Sequence, residues 1–350
     1  MAGCRKPRDA QQNQGMADDP ITEPPQRVGF LLVPNFSMMA LSAVLEPFRA
    51  ANWVARRTLY DWRLLSVDGE PVTASNSGVL MAQGAIGPED SFTMIVVVAG
   101  LDPQEGRDER ILAWLRRMAR RGSRIGAVST GTYHLAWAGL LDGYRCTIHW
   151  ENLSAFTETF PRLDVTGRLF EIDRDRFTSA GGTASLDMTH YLIGQAHGID
   201  LANQVAEQFL HARPRQGHAP QRMELRERLG VSHPKLLAAI AEIEANLAEP
   251  LPRAALARAA GLSTRQLERL FRIYLNCTPS QYYLEARLKH AQILLAQTSM
   301  PILEVAVACG FASASHFAKC YRSLFSHSPR AERAPRPAGP MQVMGQRRAW

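Results

Sequence analysis

The chain has 350 residues, 46% of them hydrophobic and 21% charged, with a net charge of +7. That length exceeds one compact core, so two domains are expected, and the longest apolar run, Met94 to Ala99, is far too short to span a bilayer. Five scattered cysteines, odd in number and without CxxC spacing, fit a reducing cytoplasm and give no metal signature.

Residues 1–26 carry charges and many Gln, Asp and Pro but no apolar signal-peptide segment, and read as a disordered tail. From Arg27 strands and helices alternate. Apolar runs predict strands at Val28–Val33, Met94–Ala99 and Ile125–Val128, and alternation predicts others at Tyr60–Val67 and Tyr144–His149. Helical spacing marks Met38–Trp53, Arg107–Arg121 and Tyr133–Leu141. A hairpin is expected from Leu169–Ile172 and Arg176–Ser179, and two helices, Thr183–His197 and Leu201–Leu210, close the unit. The fold class is therefore α/β over 27–212, a mostly parallel sheet with helices on both faces.

Residues 213–234 are polar and proline-rich and read as a linker with one helical turn. Residues 235–331 are helical throughout, and 332–350 form a Pro/Arg/Gly tail that reads as disordered. Charge divides along the same line. Residues 1–220 hold 22 Lys and Arg against 24 Asp and Glu, whereas 221–350 hold 18 against 9. The second part, at +9, favours a polyanionic partner.

Two stretches of the helical part repeat one another. Ala257 precedes Gly261 by four, as Ala306 precedes Gly310. Counted from Ser263, apolar residues fall at Leu267, Leu270 and Phe271; counted from Ser313 they fall at Phe317, Cys320 and Tyr321. Pro279 and Pro329 close the two copies at the same distance. Each copy reads as a helix-turn-helix with a serine N-cap. Between them Ser280–Leu295 predicts a connecting helix about 24 Å long, a rod that would set two reading heads toward major grooves recurring every ~34 Å.

Residues 235–331 resemble the DNA-binding domain of the AraC/XylS family through STRQLERLFR, TPSQYYLEARLKHAQILL, ILEVAVACGFASASHFAKCYR and SPRAER. Asn276 and Ser326 stand where that family commonly has glycine, so both turns are expected to carry a left-handed non-glycine residue. The resemblance implies that Thr264, Arg265, Glu268 and Arg269 face DNA in the first unit, and Ala314, Ser315, His316 and Lys319 in the second. Arg265 or Arg269 suits a guanine edge and Lys319 a phosphate, while Glu268 either accepts from a cytosine amine or pairs with Arg272. The first unit is expected to set most of the sequence preference.

Residues 27–212 resemble the ThiJ/PfpI family, and more closely the sensor half of GlxA-type regulators, through VPNFSMMALSAVLEPFRAAN, AGLLDGYRCTIHWENL and RFTSAGGTASLDM. Ile125–Gly131 reads as a strand ending in a nucleophile elbow. In the enzymes of that family the elbow holds Cys then His, with an acid from the first βα turn. Here those positions are Ser129, Thr130 and Ala40, a serine without an evident base. No catalytic residue, cofactor or metal is therefore expected. The strand ends instead suit a small-molecule effector. Asn35, Ser129, Thr130 and Thr183 offer hydrogen bonds, Phe36, Met38 and Trp150 an apolar wall, and Glu46 or Glu151 a balance for a cation, with His149 nearby. The resemblance implies amino acids or quaternary-ammonium amines of the betaine and carnitine kind.

The reading is a ligand-responsive DNA-binding regulator, an activator by family likeness. Its expected partners are double-stranded DNA, the effector, a second copy of the chain and, as a candidate, RNA polymerase. A ThiJ/PfpI-type hydrolase fused to a DNA-binding module is the alternative, and an architectural DNA binder a third reading.

Overall fold

The computed structural model describes residues 24–101 and 106–333, so the expected tails lie almost wholly outside the described residues. β1 (Gln26–Leu32) leads into α1 (Met38–Ala55) and β2 (Tyr60–Ser66). Three two-residue strands follow, β3 (Val72–Thr73), β4 (Val79–Leu80) and β5 (Gly84–Ala85), then β6 (Met94–Val98), α2 (Glu109–Arg120) and β7 (Arg124–Val128). A 3-10 turn at Ser129–Gly131 carries the chain into α3 (Thr132–Trp137), β8 (Arg145–Thr147), α4 (Leu153–Thr159) and β9 (Asp164–Thr166). The hairpin β10 (Phe170–Asp173) and β11 (Arg176–Ser179) precedes α5 (Thr183–His197) and α6 (Ile199–Gln208).

Seven strands form one sheet in the order β10-β11-β7-β6-β1-β2-β5, parallel everywhere except between β10 and β11. Successive side chains of a strand point to opposite faces, and β1 shows the consequence. Val28, Phe30 and Leu32 share a buried cluster with Phe48 of α1, Met188 of α5 and Val205 of α6. Leu31 and Val33 share another with Trp114 of α2, Leu135 of α3 and Phe156 of α4. Both faces are covered, which is why these strands read as unbroken apolar runs.

Several boundaries move for local reasons. The Asp108 side chain accepts from the Arg110 amide, so α2 starts at Glu109 and not at Arg107. Gly139, in the left-handed region, lets Leu140 N bond back to Leu135 O and ends α3 at Trp137, short of the expected Leu141. The strand expected over Tyr144–His149 contracts to β8, which pairs with β9 in a separate two-stranded sheet.

α7 (Leu225–Leu229) is the helical turn expected in the linker. Beyond it lie α8 (Pro234–Ala245), α9 (Arg253–Ala259), α10 (Thr264–Leu275), α11 (Pro279–Gln297), α12 (Ile302–Ala308), α13 (Ala314–Phe325) and α14 (Pro329–Glu332). α9–α10 and α12–α13 are the two helix-turn-helix units. The connecting rod is α11, whose 19 residues span about 28 Å. It belongs to two cores at once, giving Tyr283 to the cluster of the first unit and Leu288, Ala291 and Leu294 to that of the second. The turns after α10 and α13 are closed by Asn276 at φ 51° and Ser326 at φ 67°, both left-handed as expected. Among the described residues no helix is long and apolar enough to cross a membrane.

Candidate nucleic-acid interface and strand-end site

α10 is started by a reciprocal cap in which Ser263 accepts from Gln266 N and the Gln266 side chain accepts from Ser263 N. Leu267, Leu270 and Phe271 are buried, which rotates Thr264, Arg265, Glu268 and Arg269 outward into solvent. Arg265 and Arg269, one turn apart, have no carboxylate partner among the described residues, so both guanidinium groups are available to an anion. Glu268 pairs with Arg253 of α9 at 3.0 Å, and not with Arg272 as helical spacing suggested. In α13 the Ser313 side chain caps His316 N, and burial of Phe317 and Tyr321 leaves Ala314, Ser315, His316 and Lys319 exposed. The His316 imidazole is engaged within its own helix, Nε2 lying 3.3 Å from Cys320 Sγ.

At the other site four strand ends converge. Asn35 follows β1 with φ 62°, and its carbonyl accepts from Leu101 N after β6. Phe36, fully buried, bridges Ala74 and Gly100. After β7, Ser129 takes φ 59°, a conformation that costs a non-glycine residue of the order of 1 kcal/mol or more. Thr130 Oγ1 donates to Gly100 O at 2.6 Å. Gly181, beyond β11, lies so close to Ser129 that a Cβ there would stand 2.8 Å from the serine Cβ. Asn35, Phe36, Ser129 and Thr130 are thus brought to one ridge of the sheet.

The remaining expected residues make other contacts. Thr183 Oγ1 accepts from Arg215 Nη2 of the linker at 2.7 Å. Met38 is half-buried, its terminal methyl against the Gly78 turn. Glu46 pairs with Arg49 on α1 at 2.6 Å. His149 Nδ1 lies 3.7 Å from Glu151, and burial pushes its pKa down. Trp150 lines a cleft whose walls include none of Asn35, Phe36, Ser129, Thr130 or Thr183. Sequence reasoning missed the linker residues that fasten these parts, Arg215 and Gln221, because nothing periodic marks them.

The chemistry at the elbow is limited by its neighbours. His134, in the helix that follows, is fully buried with Nε2 on Gly106 O at 2.9 Å, and desolvation pushes its pKa down to about 4. Among the described residues no base is hydrogen-bonded to Ser129 Oγ, and no group of three His, Cys, Asp or Glu is placed to hold a metal.

Residues 26–195 match the DJ-1/PfpI family and residues 256–334 match a helix-turn-helix domain. The chain is 46% identical over 325 residues to the HTH-type transcriptional regulator GbdR of Pseudomonas aeruginosa, covering 93% of this chain and 89% of that protein. It is 42% identical over 306 residues to the HTH-type transcriptional regulator GlxA of Rhizobium meliloti, covering 87% and 94%. The chain belongs to the GlxA-type family of helix-turn-helix transcription regulators. Over 73% of its length the chain shares a fold with 96% of a ThiJ/PfpI family protein from Pseudomonas syringae, at a TM-score of 0.50 and 19% identity. In a GlxA-type regulator the paired units bind double-stranded DNA, and the α/β domain is joined to them in one chain.

Proposed function

We propose that this regulator, an activator, answers to a small amino acid or quaternary-ammonium amine through an α/β domain that performs no catalysis. One observation carries the reading. Ala155 of α4 is buried in the same cluster as Leu288 and Ala291 of α11, so the α/β domain rests on the rod that holds both reading heads. A change in the α/β domain is thereby transmitted to the spacing or orientation of the two units. Arg265 and Arg269 read bases in the first unit and Lys319 grips phosphate in the second. Asn35, Ser129 and Thr130 contact the effector at the strand ends. The protein works in the cytoplasm as a homodimer on repeated half-sites and contacts RNA polymerase.

The position of His134 supports the non-catalytic reading, since a buried imidazole engaged by a carbonyl is no base for Ser129. Thermal unfolding against a panel of amino acids, betaines and carnitine tests the proposal, because a ligand of the native state raises its stability. The expected result is a saturable rise with one compound that also changes affinity for operator DNA. Indifference to every carboxylate-bearing amine would remove the effector class.

A further inference from the structure

α10 carries one acidic residue, Glu268, among three arginines, Arg265, Arg269 and Arg272. Helical spacing puts Arg265 three residues before it and Arg272 four after, both within reach of its carboxylate. Neither takes it. Oε1 accepts instead from Nη1 of Arg253, the first residue of α9, at 3.0 Å. The Arg253 side chain is 65% exposed and that of Glu268 50%. An ion pair so open to water adds little to stability. Its consequence lies in the recognition helix, where it decides which way the one carboxylate points.

The corner of the first unit places Arg253 for this. It stands one turn before Ala257, which is buried with Leu267 and Phe271 of α10, so both lie on the side that α9 turns toward α10. Leu262 N bonds back to Ala257 O and Gly261 takes φ 63°, which fixes the angle between the helices. The second unit supplies the comparison. Its first helix lies 49 residues on (Ala257 to Ala306) and its second 50 (Ser263 to Ser313). By those offsets Arg253 corresponds to Ile302 and Glu268 to Ala318, while Arg265 and Arg269 correspond to Ser315 and Lys319. Both members of the pair occur in the unit with the two outward arginines, and neither occurs in the other.

We propose that Arg253 is a specificity-determining positioning residue, which pins Glu268 so that the first unit accepts cytosine and rejects guanine and thymine at one base. The proposal rests on the reading of α10 as the base-reading helix. A carboxylate only accepts hydrogen bonds. In the major groove cytosine presents its N4 donor, whereas guanine and thymine present the O6 and O4 acceptors, which repel it. Unpinned, Glu268 turns to Arg265 or Arg272 when the base is wrong, and so discriminates little. Held at Oε1 by Arg253, it keeps Oε2 for the base and cannot yield. Selectivity then comes from repulsion of the wrong partner as much as from attraction of the right one.

The test selects sites for the full chain from a random-sequence duplex library, then measures every single-base variant of the selected site by competition. The parent chain prefers cytosine at one position, and Glu268→Ala loses the preference there alone. Arg253→Ala lowers it at the same position by up to about 5-fold, the ceiling set by an exposed ion pair, chiefly because the guanine and thymine variants bind better. Its thermal midpoint holds, and it adds nothing in a Glu268→Ala chain. Arg253→Lys, which keeps the cation, restores most of the discrimination. A uniform loss on all duplexes with a lower salt slope, persisting in the Glu268→Ala chain, makes Arg253 a phosphate contact and overturns the proposal. An unchanged cytosine preference in Arg253→Ala overturns it too. A parent chain that selects sites without any position dependent on Glu268 removes the role of Arg253 alone, whereas one that selects no sequence removes the base-reading role of α10 with it.

Discussion

Tyr283 and Arg287, one turn apart on α11, hold the two helix-turn-helix units from a single point on the rod. The Tyr283 hydroxyl donates to Asn246 O and accepts from Leu251 N, both in the loop between α8 and α9. Arg287 donates from Nε to Cys309 O at the end of α12 and covers the Phe311 ring at 4.1 Å. Gly310 completes the junction, since a Cβ there would meet Ala248 O at 2.7 Å. The relation between the reading heads is thus set through one helix, the rod on which the α/β domain also rests.

Arg287→Ala should loosen the second unit by about 1–3 kcal/mol, because it leaves a buried carbonyl without its donor. Hydrogen exchange is expected to speed up in α12 and α13 while α9 and α10 keep their protection. Tyr283→Phe should do the reverse, acting at α8 and α9. If either variant loosens both units equally, the division between the two residues is wrong.

Arg269 and Lys319 are expected to fail differently. Arg269→Ala should weaken binding to operator DNA by about 1–3 kcal/mol and leave binding to random duplex nearly intact, as removal of a base reader does. Lys319→Ala should weaken both and lower the salt slope by about one counterion. Fluorescence anisotropy on the two duplexes at several salt concentrations separates these cases. Equal losses on both duplexes for Arg269→Ala would assign it to the backbone.

Much of this architecture is legible in the sequence because it is periodic. Strands covered on both faces give apolar runs, and the two units repeat one spacing from Ser263 and Ser313. What escapes is what depends on single long-range bonds. β8 is turned away from the main sheet and held by Thr147 N on Thr178 Oγ1 and by Thr132 Oγ1 on Thr147 O, which no local pattern encodes. Trp150 follows β8 and so faces the interdomain cleft, apart from the strand-end ridge that its position in the chain suggests. Helical spacing offers Glu268 its neighbour Arg272, as an alternative to a cytosine amine, but Arg253 reaches it from α9.

Gly100 offers a test of the strand-end ridge. A Cβ there would stand 2.3 Å from Asn35 O and 2.7 Å from Ser37 N, both backbone atoms that cannot swing aside. Gly100→Ala should therefore destabilise the α/β domain by about 1–3 kcal/mol, the usual cost of overpacking. Gly87→Ala is the control, since nothing lies closer than 4.0 Å to its Cβ position. Thermal midpoints should fall for the first and hold for the second. A stable Gly100→Ala chain would mean that the Asn35 turn yields, and that the ridge is softer than its geometry implies.

His134 should make the fold sensitive to mild acid. Its ordinary value of 6.5 is pushed down to about 4, chiefly by burial, with the bond to Gly106 O opposing the shift. Between those values the unfolded chain takes up a proton that the folded chain refuses. Stability therefore falls as pH drops from about 6.5 to about 4, and this contribution is flat below. The full interval corresponds to about 3 kcal/mol. Burial also lowers His149, His190 and His290, so part of the slope belongs to them. His134→Leu should reduce stability at neutral pH by removing the Gly106 bond, yet flatten the acid limb by one proton's worth. Hydrogen exchange of β6 and β7, followed from pH 7 to 4, reads this out within the α/β domain. Should the variant keep the full slope, the proton taken up on unfolding belongs to another group.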